Sequence, residues 1–214
     1  MPLVYQQNIN ENTKLAVWHI TENEDFFITQ VPVQREIAHP KKRLQHLAGR
    51  LLLKELYPDF PYSLIRIADT RKPFLENDAY HFSISHCGDY AAVIVSKKDR
   101  VGVDIELFTA KVEKVKHKFL SNEEEKILNE ITNYQFSIVN FQLLTTAWSI
   151  KEAIYKWYGD GGLDFKEHIH IEKITVNEDK GTAQCRILKQ KDIMLQLHFI
   201  FFEDNCLSWV SAGS

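Results

Sequence analysis

GVDIE, Gly102 to Glu106, follows closely on the apolar run AAVIV, Ala91 to Val95, and alternates apolar with acidic residues. In an extended strand, side chains two apart point to the same side. Asp104 and Glu106 therefore share one face, and Val103 and Ile105 the other. On a common face the two carboxylates stand roughly 6–7 Å apart. At an effective dielectric near 20 they repel by about 2–3 kcal/mol. A cation relieves that repulsion, and carboxylate oxygens suit Mg²⁺, which takes few protein ligands and keeps waters or phosphates. Taken alone, the pair is better read as a solvated strand end, where water screens the repulsion.

Upstream of this stretch, KLAVWHI (14–20), HFSISH (81–86) and YAAVIVS (90–96) read as strands, the last two joined by a turn around Cys87 to Asp89. A helix is expected from Pro40, with the stripe Leu44, Leu47, Ala48, Leu51, Leu52 and Leu56 at helical spacing. Pro58 and Pro61 forbid its continuation. Downstream, VEKVKHKFL, SNEEEKILNEI and an apolar-rich run ending in TTAWSIKEAIYKWYG read as helical. Ser121 and Glu124 offer a capping box, and GDGG at 159–162 ends the last helix. From His168 onward the chain reads as strands, with a hairpin turn at Asn177 to Gly181. Helices segregated from antiparallel strands predict an α+β fold.

A chain of 214 residues, 44% hydrophobic, can bury a sizeable core. A net charge of −3 implies no global attraction to nucleic acid or membrane. Three cysteines without CxxC spacing argue against a disulfide framework or structural zinc. The N-terminal residues lack a secretory pattern and no apolar stretch is long enough to cross a bilayer, so a cytoplasmic protein is expected.

Three further constellations carry possible chemistry. In WSIKEAIYKWYG, Trp148, Glu152 and Lys156 lie four apart and share a helix face. An exposed Glu–Lys pair with an indole covering its stems explains that face without any function. Arg43, His46, Arg50 and Lys54 recur along the first helix, either as a solvated edge or as a phosphate seat suited to the arginine fork. RKPF (71–74) precedes FSISHC (82–87), whose His86 stands at the strand end next to a turn. His168 and His170 share a strand face but lack an evident third ligand, which makes a poor metal site.

Together these segments resemble the 4′-phosphopantetheinyl transferases, in the larger, single-chain Sfp-type branch. The matching stretches are AGR (48–50), RKP (71–73), FSISH (82–86), GVDIE (102–106) and WSIKEAIYK (148–156), in the family's order. The resemblance implies two similar α+β halves, each with a small, mainly antiparallel sheet and a long helix, with the ligand between them. On that reading residues 1–101 form the nucleotide-binding half, and residues 102–214 the metal-binding and carrier-docking half. It implies transfer of phosphopantetheine from coenzyme A to a serine of an acyl or peptidyl carrier protein, releasing adenosine 3′,5′-bisphosphate. Asp104, Glu106 and Glu152 are the implied Mg²⁺ ligands. Glu152 is also the implied general base, directly or through a metal-bound water. Lys156, and Lys151 beside it, are expected at the phosphates, with Lys156 taking part in catalysis. Arg50, Lys72, Ser85 and His86 match positions that hold the nucleotide and its 3′-phosphate. The branch implies a monomer with no nucleic-acid or membrane partner.

Two residues depart from the family pattern: Ser83 where asparagine is frequent, and Cys87 where serine is. The basic segment Lys111 to Glu125 is expected to dock the acidic carrier, with Phe119 and Leu120 as apolar anchors. Two other readings stay open at this point: a coenzyme A-binding module without turnover, and a metal-dependent phosphohydrolase.

Overall fold

The computed structural model describes residues 2–32, 37–134 and 140–213. Its elements run in the order Leu3–Asn8 (β1), Thr13–His19 (β2), Glu24–Ile28 (α1), Pro40–Leu56 (α2), Ile65–Ile67 (β3), Pro73–Leu75 (β4), His81–Cys87 (β5), Tyr90–Ser96 (β6) and Arg100–Leu107 (β7). Then come Asn122–Tyr134 (α3), Asn140–Tyr158 (α4), Ile169–Asn177 (β8), Lys180–Leu188 (β9), Asp192–Phe202 (β10) and Asn205–Ala212 (β11). The fold is α+β, with two larger antiparallel sheets ordered β1-β2-β6-β5 and β7-β11-β10-β9-β8, and a small hairpin of β3 and β4.

Period-2 alternation decides how these parts stack. In β2 and β6, Ala16, Trp18, Ala91, Val93 and Val95 pack under α2 with Leu47, Leu51 and Leu52. The residues between them, Leu15, Val17, Ala92 and Ile94, meet Val101, Val103, Ile105, Leu207 and Trp209 of β7 and β11 in a core between the sheets. On the far side of the second sheet, Leu143, Ala147, Ile150 and Ile154 of α4 cover Ile171, Cys185, Leu197 and Val210. The layers are thus helix, sheet, sheet, helix, and every contributing strand is buried on both faces where they overlap.

Local chemistry explains the helix ends. Pro40 sits in the first turn of α2, where its missing N–H costs nothing. Ser121 and Glu124 form the expected capping box at α3: Glu124 N donates to Ser121 Oγ (3.2 Å), and Ser121 N donates to Glu124 Oε2 (2.8 Å). Two expectations change. Residues 112–120, read as helical, form no α-helix: 3-10 turns occupy Ala110–Lys114 and Lys116–Lys118. Strands β1, β3 and β4 and helix α1 were not anticipated. Part of the apolar-rich run before α4, residues 135–139, lies outside the described residues. Among the described residues no helix is long and apolar enough to cross a membrane.

Candidate active site

In β7, Val103 and Ile105 enter the inter-sheet core, leaving Gly102, Asp104 and Glu106 to face α4. Gly102 is what allows the helix to lie so close. A Cβ built there would stand 2.0 Å from the Ala153 carbonyl oxygen and 2.8 Å from Trp157 N. Only glycine fits, and the consequence is that the Trp148–Glu152–Lys156 face of α4 lies over the acidic strand.

From the other side comes β5, the edge of the first sheet. Phe82 and Ile84 pack beneath α2, so Ser83, Ser85 and Cys87 take the opposite parity and reach β7. Ser83 Oγ accepts from Val103 N (3.2 Å), and Cys87 Sγ accepts from Leu107 N (3.4 Å). Side chains thereby satisfy backbone donors of β7 that no ladder partner reaches. The two departures from the family pattern are both used in this way.

The polar contacts form one connected cluster. Lys156 Nζ donates to Asp104 Oδ1 (2.7 Å) and to Ser85 Oγ (2.8 Å), while Ser85 Oγ donates to the same Asp104 oxygen (2.8 Å). Trp148 Nε1 donates to Glu106 Oε1 (3.2 Å), and the Cys87 thiol to Glu106 Oε2 (3.5 Å). Asp104 Oδ2 is buried with no hydrogen-bond partner. Glu152 receives no hydrogen bond among the described residues, and its pKa is pushed up to about 7 by burial and then by the Asp104 charge, with Lys156 pulling it back. Glu106 is also raised, by burial and then by Asp104, against the hydrogen bonds from Trp148 and Cys87.

Carboxylates driven upward by burial and mutual repulsion, beside an orphaned carboxylate oxygen, are the donor set that a hard cation satisfies. The residues therefore fit a divalent metal in donor chemistry. Among the described residues, no three His, Cys, Asp or Glu side chains are already drawn together as a cage. In this arrangement Lys156 supplies the positive charge.

Beside the cluster lies a cavity of about 680 Å³ with Lys42, His46, Arg50, Arg66, Arg71 and His86 on its walls. Its lining is strongly basic in a chain that is acidic overall. A smaller cavity of about 230 Å³, walled by Glu152, Lys156, Tyr155, Thr70 and Lys72, shares Arg71, Pro73 and Ile84 with it. The β3–β4 hairpin thus runs along both. Arg50 is buried, and the Gly49 before it lets α2 sit on β5, since a Cβ there would lie 2.9 Å from Ile84 Cγ2. His86 is exposed at the rim, yet the protein around its ring lowers its pKa, assisted by Lys156.

Not every expected residue is where the sequence suggested. Lys151 faces away from the cluster: it is fully buried and paired with Glu124 at 2.7 Å. Ser85 does not line the basic cavity but holds Asp104. Lys72 lies outside the larger cavity too, with Nζ donating to the Lys156 carbonyl (2.5 Å) near the end of α4. Arg43 grips Glu24 through two 2.7 Å bonds, tying α1 to α2. Phe119 and Leu120, expected as docking anchors, are buried at 1% exposure each. Conversely, Trp148, read only as a cover for the Glu152 and Lys156 stems, and Cys87, read only as a departure from the family pattern, both bond to Glu106 in the cluster. Their signal was present in the one-face spacing of Trp148 with Glu152 and in the parity of Cys87 with Ser85.

Residues 100–208 match a family model described as the 4′-phosphopantetheinyl transferase superfamily. Enterobactin synthase component D of Salmonella austin is 30% identical over 120 residues, which cover 56% of this chain and 49% of that protein. The protein of the same name from Escherichia coli O157:H7 is 32% identical over 127 residues, 58% of each chain. The mouse (Mus musculus) L-aminoadipate-semialdehyde dehydrogenase-phosphopantetheinyl transferase is 28% identical over 169 residues, 66% of this chain and 52% of the relative. The chain spans about half the length of the curated relatives it matches. The matched region begins with β7 and contains α4, the two elements that carry the acidic cluster. With half of its length matched in this way, the chain belongs to the 4′-phosphopantetheinyl transferase superfamily.

Proposed function

We propose that this protein is an Sfp-type enzyme that transfers 4′-phosphopantetheine from coenzyme A to a serine hydroxyl of an acyl or peptidyl carrier protein, dependent on Mg²⁺ and releasing adenosine 3′,5′-bisphosphate. The observation that carries the reading is the adjacency of two opposite electrostatic environments. Asp104, Glu106 and Glu152 meet Lys156 at one end of a path whose other end is walled by Lys42, Arg50, Arg66 and Arg71. A donor with a diphosphate at its centre and a further phosphate on its nucleotide requires both ends.

In this mechanism the cation-lined cavity receives the nucleotide portion and its 3′-phosphate, because arginine and lysine are the natural partners of a phosphate dianion. Asp104, Glu106 and Glu152 would hold the divalent cation, which neutralises their charge and polarises the phosphoryl oxygens when bound. Glu152 is the candidate base for the incoming serine proton, directly or through a water held by the cation. Lys156, anchored by Asp104 and Ser85, is held ready to offset charge on the diphosphate and the departing nucleotide.

We assign residues 1–101 to a nucleotide-binding half and 102–214 to the half that carries the metal ligands and meets the carrier. The exposed side chains of Lys111, Lys114, Val115 and Lys118, close in sequence to β7, support docking of a small acidic partner. A cytoplasmic monomer completes the proposal.

The test is transfer of a fluorescent pantetheine from labelled coenzyme A to a panel of apo carrier proteins, with and without Mg²⁺, beside Asp104→Ala. Metal-dependent labelling that disappears in the variant is expected. Nucleotide release without labelling would point to a hydrolase, and coenzyme A binding without either reaction to a binding module.

A further inference from the structure

The motif residue Lys151 is absent from the acidic cluster, and its surroundings give it another task. Its side chain is fully buried, and Glu124 opposite it is 2% exposed. Lys151 Nζ lies 2.7 Å from Glu124 Oε1 and donates to three main-chain carbonyls: Phe119 (2.7 Å), Phe165 (2.8 Å) and Ile169 (2.7 Å). Glu124 is equally engaged. Its Oε1 accepts from Ile171 N (2.8 Å) and its Oε2 from Ser121 N (2.8 Å). One ammonium thus gathers α4, the start of α3, the chain before α3 and the chain entering β8.

Two of those carbonyls belong to residues whose rings act elsewhere. Phe119 meets Trp148 edge-on at 5.2 Å between ring centroids, and Phe165 meets it at 5.4 Å. Trp148 in turn donates its indole N–H to Glu106 Oε1. A buried ion pair is a poor way to gain stability, because an apolar pair of similar volume commonly serves as well or better. What it adds here is directional: it fixes the backbone of both rings relative to the helix that carries Trp148.

We propose that the Lys151–Glu124 pair is a positioning element that holds Phe119 and Phe165 against Trp148, and through the indole sets the Glu106 carboxylate for its cation. Neither Lys151 nor Glu124 touches substrate. The inference rests on the proposed function only in taking Glu106 as a metal ligand. Partners that orient a ligand typically change metal affinity by about 10–100-fold when removed.

The experiment reads metal binding without turnover. Tb³⁺ at the acidic cluster, excited through tryptophan, reports occupancy next to Trp148, and competition with Mg²⁺ gives the affinity. Loss of the signal in Trp148→Phe, with Mg²⁺ binding still detected by calorimetry, identifies Trp148 as the antenna. Lys151→Met is expected to weaken Tb³⁺ and Mg²⁺ binding about 10-fold. Phe165→Leu, which leaves the ion pair intact, is expected to weaken it in the same direction, and Phe165→Tyr to restore it. Circular dichroism checks folding, and should Lys151→Met not fold, the Phe165 pair carries the test alone. Mg²⁺-competable Tb³⁺ binding of equal strength in wild type and the folded Lys151 and Phe165→Leu variants overturns this inference and leaves the metal reading standing. Wild-type protein that gives no competable signal overturns both.

Discussion

Lys72 holds its ammonium in a place that penalises charge. Burial, and then the neighbouring Arg100, lower its pKa to about 8, while its Nζ donates to the Lys156 carbonyl. In the unfolded chain a lysine titrates near 10.4. Between pH 8 and that value the unfolded state binds more protons, so this group makes stability rise with pH across the window. Below pH 8 both states are charged and the penalty is present in full. An anion placed beside Lys72 favours the charged form, so binding of adenosine 3′,5′-bisphosphate at pH 8.5 is expected to take up protons. Calorimetry in buffers of different ionisation heat measures this, and binding heats independent of buffer would show that Lys72 does not meet the ligand. Cys87 gives a second expectation. Burial and then the adjacent Glu106 raise its thiol to about 11, although the Leu107 N–H opposes this. Alkylation at pH 8 should be slow, and Cys87→Ser, whose hydroxyl can make the same two contacts, should retain transfer. At this scale the sequence was most informative where spacing was taken literally. Trp148, Glu152 and Lys156 share a face and do meet the acidic strand, whereas Lys151 is rotated about 100° from Glu152. Its motif membership suggested phosphates, but its position on the helix had already turned it toward the core.

The contact between β7 and α4 is the element on which the cluster depends. Gly102→Ala is expected to destabilise the fold by about 1–3 kcal/mol, the usual range for overpacking. The atom its Cβ would strike is helix backbone, the Ala153 carbonyl, and cannot swing aside. Urea denaturation measures the stability loss. Because the helix as a whole must lift from Asp104, transfer activity should fall even at temperatures where the variant remains folded. The elements that carry a strong apolar period, including β2, α2, β5, β6, β7, α4 and the four strands after it, were legible in the sequence. Those that lack one were not. β1 is an edge strand of mostly exposed residues, LVYQQN, with little to distinguish it from a loop. The β3 and β4 strands have three residues each. Residues 110–118 carry lysines at 111, 114, 116 and 118 and bury only Val112 in their turns, so no stripe exists to sustain an α-helix.

At the scale of the whole molecule, charge is sorted although the net value is small. The exposed Lys111, Lys114 and Lys118 follow the acidic strand, whereas Lys116 is held at 2.6 Å by Glu125. Lys114→Glu and Lys118→Glu are expected to raise the KM for a carrier several-fold and leave kcat unchanged, since rim charges act chiefly on encounter. Steady-state kinetics against carrier concentration decide it, and an unchanged KM would remove this face from the docking surface. The α+β class was legible from element order alone, but the stacking of the two sheets was not. Nor was the insertion of β11 between β7 and β10, because no local pattern records which strands become neighbours. That pairing has a further effect. β7 occupies a sheet edge, and its ladder partner is β11, with Asp104 opposite Ser208 and Glu106 opposite Cys206. During synthesis the acidic strand therefore leaves the ribosome long before the strand that straightens it. A nascent chain stalled before Asn205 would contain Asp104, Glu106, Glu152 and Lys156 yet lack the strand that pairs with the first two, so the proposed transfer is expected only once residues 205–212 have been made.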